Sequence, residues 1–235
     1  MNYKNQMICA NSAIVVMFLV GAGWFFIPGW LPPVDPALDA EAIKAMFIED
    51  RTRIRIGMTL CATGMVFFVP FCAAVSGQMR RIEGHEDPLL ARSQSLGSTV
   101  TTMVAFFASY FILAAAYRHD MPANVIQIFH DFGWFMIVAA FPPLLIQTLS
   151  VGICILGDKS DKKIFPRWLA FVNFWIAILF LPAALVPFLY EGPFAWDGLL
   201  SFYIPVFCFF LWIVLMWWFT VSAIRRQVSE AAAAI

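Results

Sequence analysis

Six apolar stretches, each long enough to cross a bilayer, occupy most of this 235-residue chain. They cover approximately residues 8–28, 55–76, 97–117, 129–156, 167–189 and 197–224, and none carries Lys or Arg through its middle. A helix rises about 1.5 Å per residue and the hydrocarbon core is about 30 Å thick, so roughly 20 apolar residues span it. The expected fold is therefore all-α: a polytopic bundle of six transmembrane helices, forming a single transmembrane domain over residues 1–235. The fourth and sixth stretches exceed what a bilayer needs and should tilt or project from it.

Composition identifies the solvent. Hydrophobic residues make up 62% of the chain and charged residues 13%, with a mean hydropathy of +0.80. Soluble domains carry about 25% charged residues, and no single core of this size could hide so much apolar surface. The 15 basic and 15 acidic residues cancel, and no basic block exists to grip nucleic-acid phosphates. Nucleic acid is thus excluded as a partner, and membrane lipid is the expected one. Cys9, Cys61, Cys72, Cys154 and Cys208 all fall in apolar stretches without a C-x-x-C pair. They read as small buried hydrophobes, not as a disulfide framework.

The distribution of Lys and Arg sets an orientation. Lys4, Arg80, Arg81, Arg92, Lys159, Lys162, Lys163, Arg167, Arg225 and Arg226 fall on one side. Lys44, Arg51, Arg53, Arg55 and Arg118 fall on the other. Positive residues favour the cytoplasm, so both termini are expected there, in a cell inner membrane. Lys4 and the run to Gly21-Ala22-Gly23 loosely resemble a signal peptide. That run continues through Trp24-Phe25-Phe26 without a small-x-small site and a polar sequel, so the first helix is read as uncleaved. Trp24, Trp30, Trp134 and Trp196 fall near the outer boundary and Trp168, Trp217 and Trp218 near the inner one, where amphipathic indoles collect.

The first outer loop is the only sizeable one. Asp35 is placed to cap a helix whose first position is Pro36. Leu38, Ile43, Met46 and Phe47 among five charged residues predict a short amphipathic helix on the outer face or over a cavity. In the third stretch, Thr101, Ala105 and Ser109 recur at four-residue steps beside Ser98, Thr102 and Ala108. Small residues so spaced let backbones approach closely, which places this helix at the centre of the bundle. Pro70, Pro142, Pro143, Pro182, Pro187 and Pro205 lie inside spans and predict kinks. The two halves of the chain share no repeat.

The chemistry-bearing residues gather at the outer side. His119-Asp120 ends the third helix and His130-Asp131 opens the fourth; Glu49, Asp50, Glu191 and Asp197 flank the other outer loops. His119, His130 and Asp131 are the candidate metal ligands, since imidazole with carboxylate holds zinc, copper or iron. Against that, adjacent His and Asp side chains diverge on a helix. Asp131 lies just inside the membrane, where ionisable groups are costly, and an arginine, Arg118 or one at the second helix mouth, is its expected partner. Deeper polar groups are few: Gln147, Asn173, Ser201 and Tyr203. They suit interhelical hydrogen bonds, or the orientation of an apolar ligand in a pocket with few polar groups. The expected ligand-binding set is Asp131, Phe135, Gln147, Asn173, Trp175 and Tyr203.

Three histidines, His85, His119 and His130, are too few for a membrane di-iron centre. No C-x-x-C-H, H-E-x-x-H, G-x-S-x-G or Walker motif is present; Gly84-His85-Glu86-Asp87 lacks the second histidine of a zinc helix. The sequence leaves catalysis open and leans against it, and it specifies no cofactor. The inner loops around Gln78–Gly84 and Gly157–Lys163 read as solvated anchors for anionic headgroups. Three readings remain. The leading one is a non-catalytic protein that binds or helps to move a small hydrophobic or amphipathic molecule. The others are an accessory subunit with a membrane-protein partner or a second copy of itself, and an enzyme or electron carrier with a metal at the outer His/Asp cluster.

Overall fold

Proline decides where the spans of this bundle stop being regular helix. The computed structural model describes residues 3–84 and 86–233, and every regular element among them is helical. The α-helices are α1 (Tyr3–Val20), α2 (Ala40–Glu49), α3 (Arg51–Val66), α4 (Phe68–Glu83), α5 (Leu89–Ala115), α6 (Ala123–Val138), α7 (Pro142–Leu156), α8 (Arg167–Phe180) and α9 (Ile204–Ala233). Six continuous or nearly continuous rods are long and apolar enough to cross a membrane: Tyr3–Phe26, Arg51–Glu83, Leu89–Ala115, Ala123–Leu156, Arg167–Phe188 and Leu199–Ala232. The second, fourth and sixth have 33, 34 and 34 residues, about 50 Å of helix, so they outreach a 30 Å hydrocarbon core.

Each interruption has a local cause. Pro142 and Pro143 lack the N–H groups that would bond the carbonyls of Val138 and Ala139, and the fourth rod breaks between α6 and α7 at residues 139–141. The second rod bends at Phe67, three residues before Pro70; the Phe71 N–H reaches the Phe67 carbonyl only at 3.4 Å. Ser12 Oγ of α1 supplies a 2.9 Å bond to that carbonyl, as bundles do for weakened backbone groups. Pro182 and Pro187 turn the end of the fifth rod into a 3₁₀ segment, Leu181–Phe188. Ahead of Pro205 the sixth rod begins as a π-helix, Leu199–Tyr203, and ahead of Pro28 the first rod ends as one, Gly21–Phe26.

Helix α5 packs against α3, α4, α6 and α7. Its buried side is the small-residue stripe: Gly97, Ser98, Thr101, Thr102, Ala105, Ala108 and Ser109. The contact with α7 also uses close backbone approach, since a Cβ on Gly97 would lie 3.1 Å from the Pro143 carbonyl oxygen. The loop helix starts later than its sequence suggests. Asp35 Oδ1 accepts from the Ala37 N–H in a tight turn, and Asp39 is the N-cap of α2, accepting from the Ala42 N–H at 2.8 Å. A carboxylate three residues into the segment thus captures the helix start that Pro36 alone would favour. Ile43 and Phe47 of α2 are buried, and α2 packs on α6.

The second rod meets both the first and the last at one end of the bundle. There Gln78 Nε2 donates to Gln6 Oε1 at 3.0 Å, Arg81 faces Glu230 at 3.9 Å, and Arg226 donates to the Ile164 carbonyl at 2.6 Å. The loop between α7 and α8 is organised by Asp158, which accepts from Ser160 Oγ (2.5 Å), Ser160 N (2.9 Å) and Ile164 N (2.9 Å). Burial disfavours its charge, but the Ser160 hydroxyl, the Ile164 and Ser160 N–H groups and nearby Lys163 outweigh that and hold its carboxyl below the usual range. A lowered carboxyl stabilises the fold above the pKa of the unfolded chain, and that contribution is lost as pH falls through the folded value. Asp158→Asn puts an amide where an ionised acceptor is needed and should cost about 1–3 kcal/mol. Melting curves at pH 7 and pH 3 should show a deficit at pH 7 that narrows at pH 3; an equal deficit at both would contradict this account.

Candidate functional site

Four of these irregular segments converge on one cavity. Its volume is about 100 Å³, and its wall takes Trp24 and Phe25 from the first π segment, Ala140 and Phe141 from the α6–α7 break, Ala183 from the 3₁₀ segment, and Ser201 and Phe202 from the second π segment. Thr101, Val104 and Ala105 of α5 close it from the centre of the bundle, with Phe209 and Phe210 of α9 opposite. No charged side chain lines it. Both hydroxyls on the wall give their protons to the protein: Thr101 Oγ1 donates to the Gly97 carbonyl at 3.0 Å and Ser201 Oγ to the Phe194 carbonyl at 3.0 Å. What remains is an apolar hollow that suits a neutral, mostly hydrocarbon surface.

A buried polar line runs to this wall from α4. Ser76 Oγ bonds the Ala91 carbonyl (3.0 Å), Ser95 Oγ (2.7 Å) and Gln94 Oε1. Deeper in, Cys72 Sγ donates to Gln147 Oε1 at 3.8 Å and Gln147 Nε2 donates to Thr101 Oγ1 at 2.6 Å. These bonds tie α4, α5 and α7 together behind the cavity. Ser76 and Gln94 escape a sequence reading because they lie near the ends of the apolar stretches, where polar residues look solvated.

Beside the cavity the tryptophans form a cluster that the sequence does not reveal. Trp24, Trp30, Trp134 and Trp196 are all buried, so they do not line a lipid interface as expected. The ring centroids of Trp24 lie 5.9 Å from Trp30 and 5.5 Å from Trp134, and Trp134 stacks on Trp196 at 6.2 Å. The reason is the loop: Trp196 Nε1 donates to the Val34 carbonyl at 2.7 Å, and Phe47 of α2 packs edge-on to His130 at 5.9 Å. Chain that would otherwise leave these indoles at a boundary folds over them.

His130 is fully buried in this cluster, and its Nδ1 lies 3.0 Å from Asp131 Oδ1. The neighbouring pair therefore meets instead of diverging, because Nδ1 is the ring nitrogen nearer the backbone and a short carboxylate folds onto it. The tautomer of the ring sets which of the two groups donates in this bond. Asp131 is thus partnered by His130, not by the arginine expected; Arg118 lies beside the Tyr117 ring and Arg53 pairs with Asp50. His130 Nε2, Trp24 Nε1 and Trp134 Nε1 are buried without a hydrogen-bond partner.

The sequence-predicted residues are dispersed. His119 is exposed while His130 is buried, and among the described residues no three His, Cys, Asp or Glu side chains are grouped to hold a metal. His85 lies outside the described residues. Of the expected ligand set, Phe135 packs on Trp196 at 5.6 Å. Gln147 stands behind the wall at Thr101, and Asn173 links the Leu169 carbonyl to Trp212 Nε1, at 2.8 and 2.9 Å. Trp175 is 63% exposed on the outside of the bundle. Tyr203 does not line the cavity; its ring lies 5.2 Å from that of Phe202, which does.

No protein-family model matches this chain, and neither a curated protein nor a solved structure does.

Proposed function

We propose that this integral membrane protein is non-catalytic and binds, and helps to move, a small hydrophobic or amphipathic molecule in the cavity bounded by Trp24, Ala105 and Phe202. The observation that carries the reading is the convergence of the α6–α7 break, both π segments and the 3₁₀ segment on one hollow. Irregular backbone is costly at membrane depth and is tolerated where it is buried in protein or lines a cavity; broken helices build the sites of many transporters. A wall without charge favours a neutral occupant. The 10 to 5 division of Lys and Arg between the two ends supports a cytoplasmic placement of the end where Gln6 meets Gln78, in an inner membrane.

The test is extraction of the protein with a native disc of its own membrane, without detergent, followed by mass spectrometry of everything soluble in organic solvent. One neutral apolar species should be enriched over the surrounding lipid to about one copy per chain. An extract with the composition of the bulk membrane would argue against a resident ligand.

A further inference from the structure

One face of the second rod carries a groove with a cation at its mouth. Thr52, Arg55, Thr59, Thr63 and Phe67 recur at three- and four-residue steps along the rod and are all exposed, so they form one straight stripe on the outside of the bundle. Two hollows follow that stripe and share Thr59. One, of about 390 Å³, runs past Thr52 and Arg55; the other, of about 290 Å³, runs past Thr63 and Phe67 and has Phe106 and Tyr110 of α5 as its far wall. Those two rings lie 4.6 Å apart. The threonines give their protons to their own helix, Thr59 Oγ1 to the Arg55 carbonyl and Thr63 Oγ1 to the Thr59 carbonyl, both at 2.8 Å. Short, methyl-bearing side chains thus form the floor. Arg55 has no counter-charge: the ion pair at this mouth joins Arg53 to Asp50, and among the described residues no acidic side chain pairs with Arg55.

We infer that this groove holds one anionic phospholipid, with its phosphate on Arg55 and one acyl chain laid along Thr59 and Thr63. Phe67 is midway along the 33-residue rod Arg51–Glu83, and Arg55 lies about 18 Å from it at about 1.5 Å per residue. Half the hydrocarbon core is about 15 Å, and half the bilayer with its headgroups about 20–22 Å. Arg55 therefore stands in the headgroup layer when Phe67 stands at the midplane, and the groove between them has the length of one leaflet. Either hollow exceeds the roughly 150 Å³ that accommodates benzene, so a methylene chain has room in it. The guanidinium is open to a ligand, and its planar fork suits phosphate oxygens. A second copy of the chain seated on this face would bury Arg55 against a stripe that has no carboxylate to receive it. The groove shares no lining residue with the cavity, and the inference does not depend on what fills that cavity.

The test places the full chain in nanodiscs of equimolar phosphatidylglycerol and phosphatidylcholine, releases it into the gas phase, and counts by mass spectrometry the lipids that stay bound. The parent should retain one phosphatidylglycerol per chain, enriched about fivefold over phosphatidylcholine, the effect of one cation near the headgroups. Arg55→Ala should lose that enrichment, and Arg55→Lys should keep most of it. Thr59→Trp, whose ring fills the groove where the two hollows join, should lose retained lipid of either kind. Ile153→Trp, on an exposed face of α7, should retain it as the parent does. The Arg55 variants change only an exposed side chain, so they decide the matter even if Thr59→Trp folds poorly. Enrichment that survives in Arg55→Ala overturns the headgroup assignment and with it the inference. Retention that survives in Thr59→Trp overturns the groove. A parent that leaves the disc without lipid, as a single chain or as a dimer seated on this face, overturns the inference as well.

Discussion

Gly57→Val should lower the melting temperature by about 10 °C or more and cut the yield of folded protein severalfold. Gly57 of α3 crosses the first rod at Gly23, backbone against backbone. A Cβ on Gly57 would sit 2.4 Å from the Gly23 carbonyl oxygen and 2.7 Å from Pro28 Cγ; one on Gly23 would sit 2.5 Å from the Gly57 oxygen and 2.7 Å from the Cys61 nitrogen. Nothing at this crossing can swing aside, so the two rods must part. Overpacking typically costs about 1–3 kcal/mol and sometimes more, and a β-branched residue against two backbones belongs at the upper end. About 3 kcal/mol in a chain of this size corresponds to roughly 10 °C. Gly77 provides the control, because a Cβ there meets nothing within 4 Å; Gly77→Ala should melt at or slightly above the parent temperature, as alanine favours helix. Tryptophan fluorescence during heating reads both. A Gly57→Val protein that melts within about 2 °C of the parent, under 1 kcal/mol on the same scale, would mean that the rods are not held at this crossing.

The Gly23–Gly57 contact also marks what the sequence withholds. The number and rough limits of the spans follow from the length of apolar runs, which depends only on bilayer thickness. The central place of α5 follows from Thr101, Ala105 and Ser109, because small residues at four-residue steps have one main use between helices. Depth along a rod is readable in the same way: Gln147, Asn173 and Tyr203 do lie within the rods. Rotation about the rod is not. Each residue turns a helix by about 100°, so Tyr203 stands beside the cavity-lining Phe202 without lining the cavity, and Phe135 stands beside Met136, which does. The breaks compound this error, since residues 139–141 and each π segment reset the rotation of everything after them. Long-range closure is a further blind spot. That Val34 would accept from Trp196, 162 residues away, has no local signal, and it is this closure that draws four boundary tryptophans into one buried cluster. The irregularity itself is signalled at Pro142, Pro143, Pro182, Pro187 and Pro205, but the convergence of these breaks with the first π segment on a single hollow is a property of the packed bundle.

Ala105→Phe should abolish occupancy of that hollow while leaving the bundle folded. Ala105 is 4% exposed and lines the cavity from α5, one turn after Thr101. The ring introduced there is as large as benzene, which fills an apolar cavity of roughly 150 Å³, and the space available is about 100 Å³. Ring and ligand cannot share it. Recovery of the neutral apolar species that accompanies the parent chain should therefore fall to background, at least about 100-fold in affinity, a loss of roughly 2.8 kcal/mol. The cost to the fold is the strain of overpacking, about 1–3 kcal/mol, reduced by the contacts the ring makes with walls that otherwise face a void. Met103→Phe, on the exposed side of the same helix, adds a ring of equal size where there is no cavity, and should bind as the parent does. An Ala105→Phe protein that still carries this species as the parent does would place the ligand elsewhere on the molecule. The interrupted helices would then need another explanation than a site.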